Sequence, residues 1–198
     1  MMIRSFVLGS IVLVSVSAMG QSSAAGLAQN NQEAQVGQSI ADIFKNASGA
    51  DIALVASGFL NASKDSKNLV TSFQFPSDEL WLVTLTGKQL SEAFDRSLSF
   101  YPEACPDMLY FGGAEVTFQA GKSSKAKVLG ATIGGFNLDL NKSYKVSMPA
   151  SLARGGLSYF SVWNFQKPEK VISPTIEKLL SGKSVQTSTL RWLSRQSL

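Results

Sequence analysis

The sequence predicts an α+β domain, and three observations carry the prediction. Some segments place apolar residues at helical spacing. Others are short apolar runs closed by turn residues. The two kinds are interspersed without the strict strand–helix–strand rhythm of a doubly wound sheet. With 198 residues, 44% of them apolar and 16% charged, the chain has enough material for one well-buried core.

Taken in order, Met1 to Gly20 has the pattern of a secretory signal peptide: Arg4, an apolar stretch from Phe6 to Val16, and small residues at Ala18 and Gly20. The apolar stretch is too short for a stable membrane span, and no cysteine follows it to take a lipid. Residues 21–35 are rich in Ser, Ala, Gln, Asn and Gly and read as a flexible leader, so the folded domain is expected over 36–198. Val36, Ile40, Ile43 and Phe44 then mark one face of a helix ending near Ser48-Gly49. Asp51 to Val55 reads as a buried strand broken by Ser57-Gly58, and Asn61 to Asn68 as a polar loop.

Leu80 to Leu85 is a second strand, and Thr86 is placed to cap a helix over Lys88 to Phe100, whose apolar face is Leu90, Ala93, Phe94 and Leu98. Strands are expected at Met108–Phe111, Ala114–Gln119, Ala126–Ile133 and Tyr144–Met148. A short helix starts near Ser151 and stops at Gly155-Gly156. Ser173-Pro174 has the form of a helix cap followed by proline at the first helical position, and Leu190, Trp192 and Leu193 make a last apolar patch.

Composition removes several chemistries. With no histidine, the chain has no Ser-His-Asp or Cys-His unit and no imidazole-based metal site; with Cys105 alone, it has no intrachain disulfide. No catalytic residue, metal ligand or cofactor is assigned. Cys105 has nothing beside it to activate it and reads as an inert loop thiol, and Asp78-Glu79, the adjacent acidic pair, reads as a solvated turn. Gly121-Lys122-Ser123 and Gly182-Lys183-Ser184 echo the end of a phosphate-binding loop but have Val116 and Glu177 where its first glycine belongs. The net charge of +4 includes Lys122, Lys125 and Lys127, read as a solvated hairpin edge; without interleaved aromatics or an arginine stripe, nucleic-acid binding is not expected.

Four segments, in order and at similar spacing, resemble one known family. Gly49 to Gly58 (GADIALVASG) resembles the GADIALVNSGG opening of the 5′-nucleotidase C-terminal domain, and LWLVTLTGKQL (Leu80 to Leu90) resembles its LVVVELTGAQL. Met108 to Gly113 resembles FLQVSG, and Tyr144-Lys145-Val146 with Leu152 to Tyr159 resembles YRVATNDFLASGGDGY. The resemblance runs from about Val36 to Leu180. It implies two packed mixed sheets flanked by helices, a nucleoside pocket in which two aromatic rings clamp the base, and a separate metallophosphatase domain carrying a dinuclear metal site.

The departures fall on that pocket. The two clamp rings correspond to Met108 and Ser151, the acid of GGDGY to Leu157, and the Asn and Arg of NSGGIR to Ala56 and Asn61. Each lost stacking ring forfeits about 1–3 kcal/mol per base, and the lost arginine removes a charge-assisted phosphate contact. Ser57, Gly58, Gly155, Gly156 and Tyr159 survive as scaffold. Tyr110, on the strand face of Met108, is a candidate replacement platform, and Arg154, beside the double glycine, is a candidate anion contact; Phe59 and Phe111 are expected in the core. The ligand-binding candidates are therefore Met108, Tyr110, Ser57, Gly58, Asn61, Arg154, Gly155, Gly156 and Tyr159. The 198 residues hold no metallophosphatase domain. The expected function is an exported (periplasmic or extracellular) module, non-catalytic alone. The alternatives are the substrate-binding half of a split hydrolase that pairs with a separate metallophosphatase chain, with Trp163 and Trp192 in an exposed apolar interface, and a binder of some other small ligand in a remodelled pocket.

Overall fold

The computed structural model describes residues 31–61, 67–120 and 125–196. The signal-peptide pattern, most of the leader, the centre of the Asn61–Asn68 loop and Lys122 lie outside them. Helix α1 (Asn31–Ser48) begins five residues before the expected start of the domain at Val36, so Glu33 and Ala34 belong to its first turn. Val36, Ile40, Ala41 and Phe44 are buried along one side. The helix ends as its composition suggests: Ser48 Oγ donates to Phe44 O at 2.7 Å, and Gly49 takes a left-handed φ of 64°.

Strand β1 (Ile52–Ala56) is buried at every position, as befits a central strand with cover on both faces. It lies in a five-stranded mixed sheet of order β3-β1-β7-β2-β8, with β2 at Leu80–Thr86, β3 at Leu109–Gly112, β7 at Ser143–Pro149 and β8 at Lys170–Ser173. β1 runs parallel to β7 and antiparallel to β3. Helix α1 packs across β3, β1 and β7. The approach is close at Gly37, where a Cβ would stand 2.1 Å from Tyr110 Cδ2, so any larger residue there collides with that ring.

Helix α2 (Gly87–Ser97) follows β2 with a full capping box: Thr86 Oγ1 accepts from Gln89 N at 3.2 Å, and Gln89 Oε1 accepts from Thr86 N at 2.9 Å. It stops three residues earlier than its periodicity suggests, leaving Phe100 57% exposed in the following turn.

The second sheet has four strands in the order β6-β5-β4-β9, formed by β4 (Ala114–Ala120), β5 (Lys127–Ile133), β6 (Phe136–Asn137) and β9 (Trp192–Gln196). Its inward face meets the first sheet at an aromatic cluster. Phe111 and Trp192 stand 5.1 Å apart, Phe94 of α2 lies 5.4 Å from Phe111, and Phe118 lies 5.9 Å from Trp192. The expected two mixed sheets with helices are therefore present, and α2 packs against both. β6 pairs only with Thr132 and Ile133, so Lys125 and Lys127 stand exposed near the uncovered start of β5, the edge role expected of them.

Four expectations are corrected. Trp163 and Trp192 form no exposed patch, being 1% and 3% exposed: the Trp163 indole stacks on Tyr159 at 4.6 Å and donates to Leu152 O, while the Trp192 indole donates to Leu109 O at 2.8 Å. Ser173 is not the helix cap, because it ends β8. Helix α4 (Ile176–Leu180) is capped by Thr175, whose Oγ1 accepts from Lys178 N. Asp78 is more than a solvated turn residue: its carboxylate accepts from Ser151 N at 3.0 Å and Ser151 Oγ at 2.6 Å, tying the β2 approach to helix α3 (Ala150–Ala153). The last apolar patch is strand β9, parallel to β4.

Candidate functional site

The site is built where four segments converge: the 3-10 turn after β1 (Ser57–Phe59), the end of α2, the loop entering β3, and the turn after α3. Ser57 Oγ donates to Cys105 O at 2.7 Å, and Gly58 N donates to Pro106 O at 2.8 Å. A Cβ on Gly58 would lie 2.8 Å from that same carbonyl, so glycine is what permits the approach. Met108 N in turn donates to Cys105 O at 3.1 Å. Ser57 and Gly58 thus lock one loop against another through contacts to its backbone carbonyls.

Beneath the loop lies a buried polar network. Arg96 Nη2 pairs with Asp107 Oδ2 at 2.8 Å, and Asp107 is 4% exposed. The Tyr159 hydroxyl donates to Asp107 O at 2.6 Å and lies 3.1 Å from Ser97 Oγ. The Arg96 guanidinium also lies over the Tyr159 ring, 5.4 Å from its centre. The Cys105 thiol donates to Asp107 Oδ1, and burial together with that carboxylate pushes it up to about 11. It is accordingly an unreactive thiol, as the sequence suggests. Burial likewise drives the Tyr159 phenol far above its usual range, so it acts as a neutral hydrogen-bonding group.

A cleft of about 460 Å³ opens above this network, lined by Arg96, Phe100, Ala104, Pro106 and Leu157 among others. Its far wall carries two consecutive non-glycine residues in the left-handed region, Leu157 at φ 54° and Ser158 at φ 63°, two residues after Gly155 at 90°. Left-handed backbone costs an ordinary side chain about 1–2 kcal/mol.

None of the sequence-chosen residues lines this cleft; some lie behind or beside it and others elsewhere. Ser57, Gly58 and Tyr159 support its floor, and Gly155 and Gly156 shape the turn that makes its wall. Met108 is only 4% exposed and lies beside the cleft, not in it. Tyr110 is 2% exposed, packed against Gly37 with its hydroxyl donating to Glu33 at 3.3 Å. It is therefore a core residue of the α1 interface and offers no ring to a ligand in this conformation. Arg154 is exposed and stacks over Trp81 at 4.4 Å, outside the cleft lining. Asn61 spends its side chain on Thr71 O and its backbone N–H on Ser72 O. Ser151 is held by Asp78. Sequence reasoning missed Arg96, Asp107 and Phe100. Arg96 reads there as one more polar residue of an amphipathic helix, and only the fold sets it against Asp107.

The residues do not fit a dinuclear metal site of the kind the resemblance attaches to a separate domain. The chain has no histidine, and among the described residues no three acid, thiol or imidazole groups converge. Among the described residues no helix is long and apolar enough to cross a membrane.

Comparison with known proteins bears on the whole arrangement. A family model described as 5′-nucleotidase, C-terminal domain matches residues 14–163, beginning inside the signal-peptide pattern. Among solved structures, the fold is similar to a 5′-nucleotidase precursor from Thermus thermophilus (TM-score 0.64, 19% identity, 81% of this chain and 35% of that one). It is also similar to a putative 5′-nucleotidase from Staphylococcus aureus (0.63, 17%, 86% and 39%) and to the NAD nucleotidase of Haemophilus influenzae (0.63, 15%, 83% and 33%). The chain thus spans little more than a third of the length of these proteins. Comparison with curated protein sequences gives no match. The family match covers about three quarters of the chain, the two-sheet architecture agrees with it, and the chain belongs to the 5′-nucleotidase C-terminal domain family.

Proposed function

We propose that this chain is an exported module of the 5′-nucleotidase C-terminal type that does not catalyse phosphoester hydrolysis by itself and whose nucleoside pocket is eroded. One observation carries the reading: neither position matched to a base-clamping ring holds an aromatic. Met108 is buried against the loop that Ser57 and Gly58 lock, and Ser151 is bonded to Asp78. Without the rings, a base loses its two stacking faces. The lack of histidine supports the non-catalytic part, because hydrolysis in this family is expected from a metal-bearing domain that these residues cannot assemble. The signal-peptide pattern of residues 1–20 supports export.

The test is phosphate release from AMP by the purified chain with Mn²⁺ or Zn²⁺ added. Release at the rate of a protein-free control is expected, and turnover at an enzymatic rate by this chain alone would overturn the reading. Hydrolysis that appears only when a separate metallophosphatase chain is added would establish the split hydrolase instead.

A further inference from the structure

We propose that the cleft between the Phe100–Asp107 loop and the Leu157-Ser158 turn binds an uncharged, largely apolar small molecule that offers one hydrogen-bond acceptor to Arg96. The proposal rests on the reading that the nucleoside clamp is lost, and it names a ligand for the cleft beside the clamp positions.

Three features of the cleft converge on that ligand. Its volume, about 460 Å³, lies in the range of small-molecule sites, and its walls are Phe100, Ala104, Pro106 and Leu157 around a single guanidinium. Leu157 stands where the family pattern has an acid, so the change has made this wall apolar. Leu157 also holds a left-handed φ of 54°, a conformation in which an acid or amide is at home and leucine is not. A residue that is both strained and placed on a cavity wall points to a role in the cavity.

Charge decides between ligand classes. The Arg96 charge is already matched by Asp107 at 2.8 Å, and Glu103 adds an exposed carboxylate at the rim. An anion entering the cleft meets a guanidinium that is already neutralised, with two acids close by. A cation meets the guanidinium itself. A neutral acceptor avoids both conflicts, and hydrogen-bonding capacity remains for it: Nη2 of Arg96 is engaged with Asp107 and Leu157 O, which leaves the N–H groups of Nη1 to donate.

The experiment is a ¹H–¹⁵N NMR titration of the purified protein with acetophenone, benzoate, benzylamine and adenosine in parallel. Acetophenone is expected to shift the amides of residues 103–105, 107 and 157–158 saturably below about 10 mM, a weak but ordinary affinity for so small a probe. Benzoate and benzylamine are expected to leave them unmoved. Equal or larger shifts with benzoate or benzylamine overturn the proposal, as does silence from acetophenone. If adenosine is silent as well, the proposal falls and the eroded-pocket reading stands; saturable adenosine shifts at these amides overturn that reading.

Two variants separate a cavity role from a structural one. Leu157→Asn relieves the left-handed strain, so Tm is expected to rise by about 2 °C while acetophenone binding weakens about fivefold. Phe100→Ser, at an exposed position, is expected to weaken binding similarly with Tm unchanged. Unaltered acetophenone affinity in both variants overturns the proposal.

Discussion

Two aspartates brace the two sides of the site, and they do so by different physics. Asp78 is half-buried and reaches across the chain to the first turn of α3, accepting from the Ser151 amide and hydroxyl in the manner of a helix cap. Asp107 is buried, pairs with Arg96, accepts a hydrogen bond from the Cys105 thiol, and lends its carbonyl to Tyr159. The first contact satisfies a helix end that water would otherwise serve. The second neutralises a part-buried charge. The contrast shows where this domain is rigid: the floor of the cleft is fixed by a buried network, and the α3 side by a replaceable tether.

That difference sets the order of mutational effects. Asp107→Ala strands Arg96 in a part-buried site and is expected to cost about 3–5 kcal/mol, the range for breaking one side of a buried pair, read as a fall in the urea midpoint. If Asp107→Ala proves no more costly than Asp78→Ala, the contrast between the two sides is wrong. Tyr159→Phe keeps the ring on Trp163 and removes only the hydroxyl, so the expected loss is about 1–2 kcal/mol, measured the same way. Asp78→Ala loses a cap and is expected to cost about 1 kcal/mol.

The smallest effect concerns pH. Burial and Asp107 hold the Cys105 thiol near 11 in the folded protein, well above an ordinary thiol. The folded chain therefore keeps this proton where the unfolded chain releases it, and the sign follows: stability contributed by the site is intact below about pH 8 and declines as pH rises through the unfolded value. Alkylation of native Cys105 at pH 8 is expected to run about a hundredfold below that of the denatured chain. Equal rates would show that the thiol is not held by Asp107.

Most of the fold was legible because its signals are local. The apolar spacing of Val36, Ile40 and Phe44, the unbroken apolar run of β1, and Thr86 as the cap of the helix that follows β2 each name an element without help from the rest of the chain. What escaped is what depends on distant partners. β8 is four residues long and exists by pairing with β2, and β9 exists by lying alongside β4. The exposed-tryptophan expectation failed for the same reason: Trp192 is apolar surface in the sequence and core in the fold, because β4 and β3 supply Phe118 and Leu109 O around it.

The site divides along the same line. Ser57, Gly58, Gly155, Gly156 and Tyr159 were legible as scaffold through resemblance; Ser57, Gly58 and Tyr159 bond to the carbonyls of Cys105, Pro106 and Asp107 behind the cleft, and none of the five lines it. Tyr110 was read from strand alternation, which gives a side but not what covers it, and α1 covers it. The Arg96–Asp107 pair was not legible at all, since neither residue has a pattern of its own.

The 5′-nucleotidase C-terminal fold is present, and the proposed loss of its base clamp is what remains to be measured. The most direct measurement is calorimetric titration of adenosine and AMP into the purified protein. No saturable heat with a Kd below about 1 mM is expected for either. Binding of both in the micromolar range, abolished by substitutions lining the cleft, would show that nucleoside binding survives.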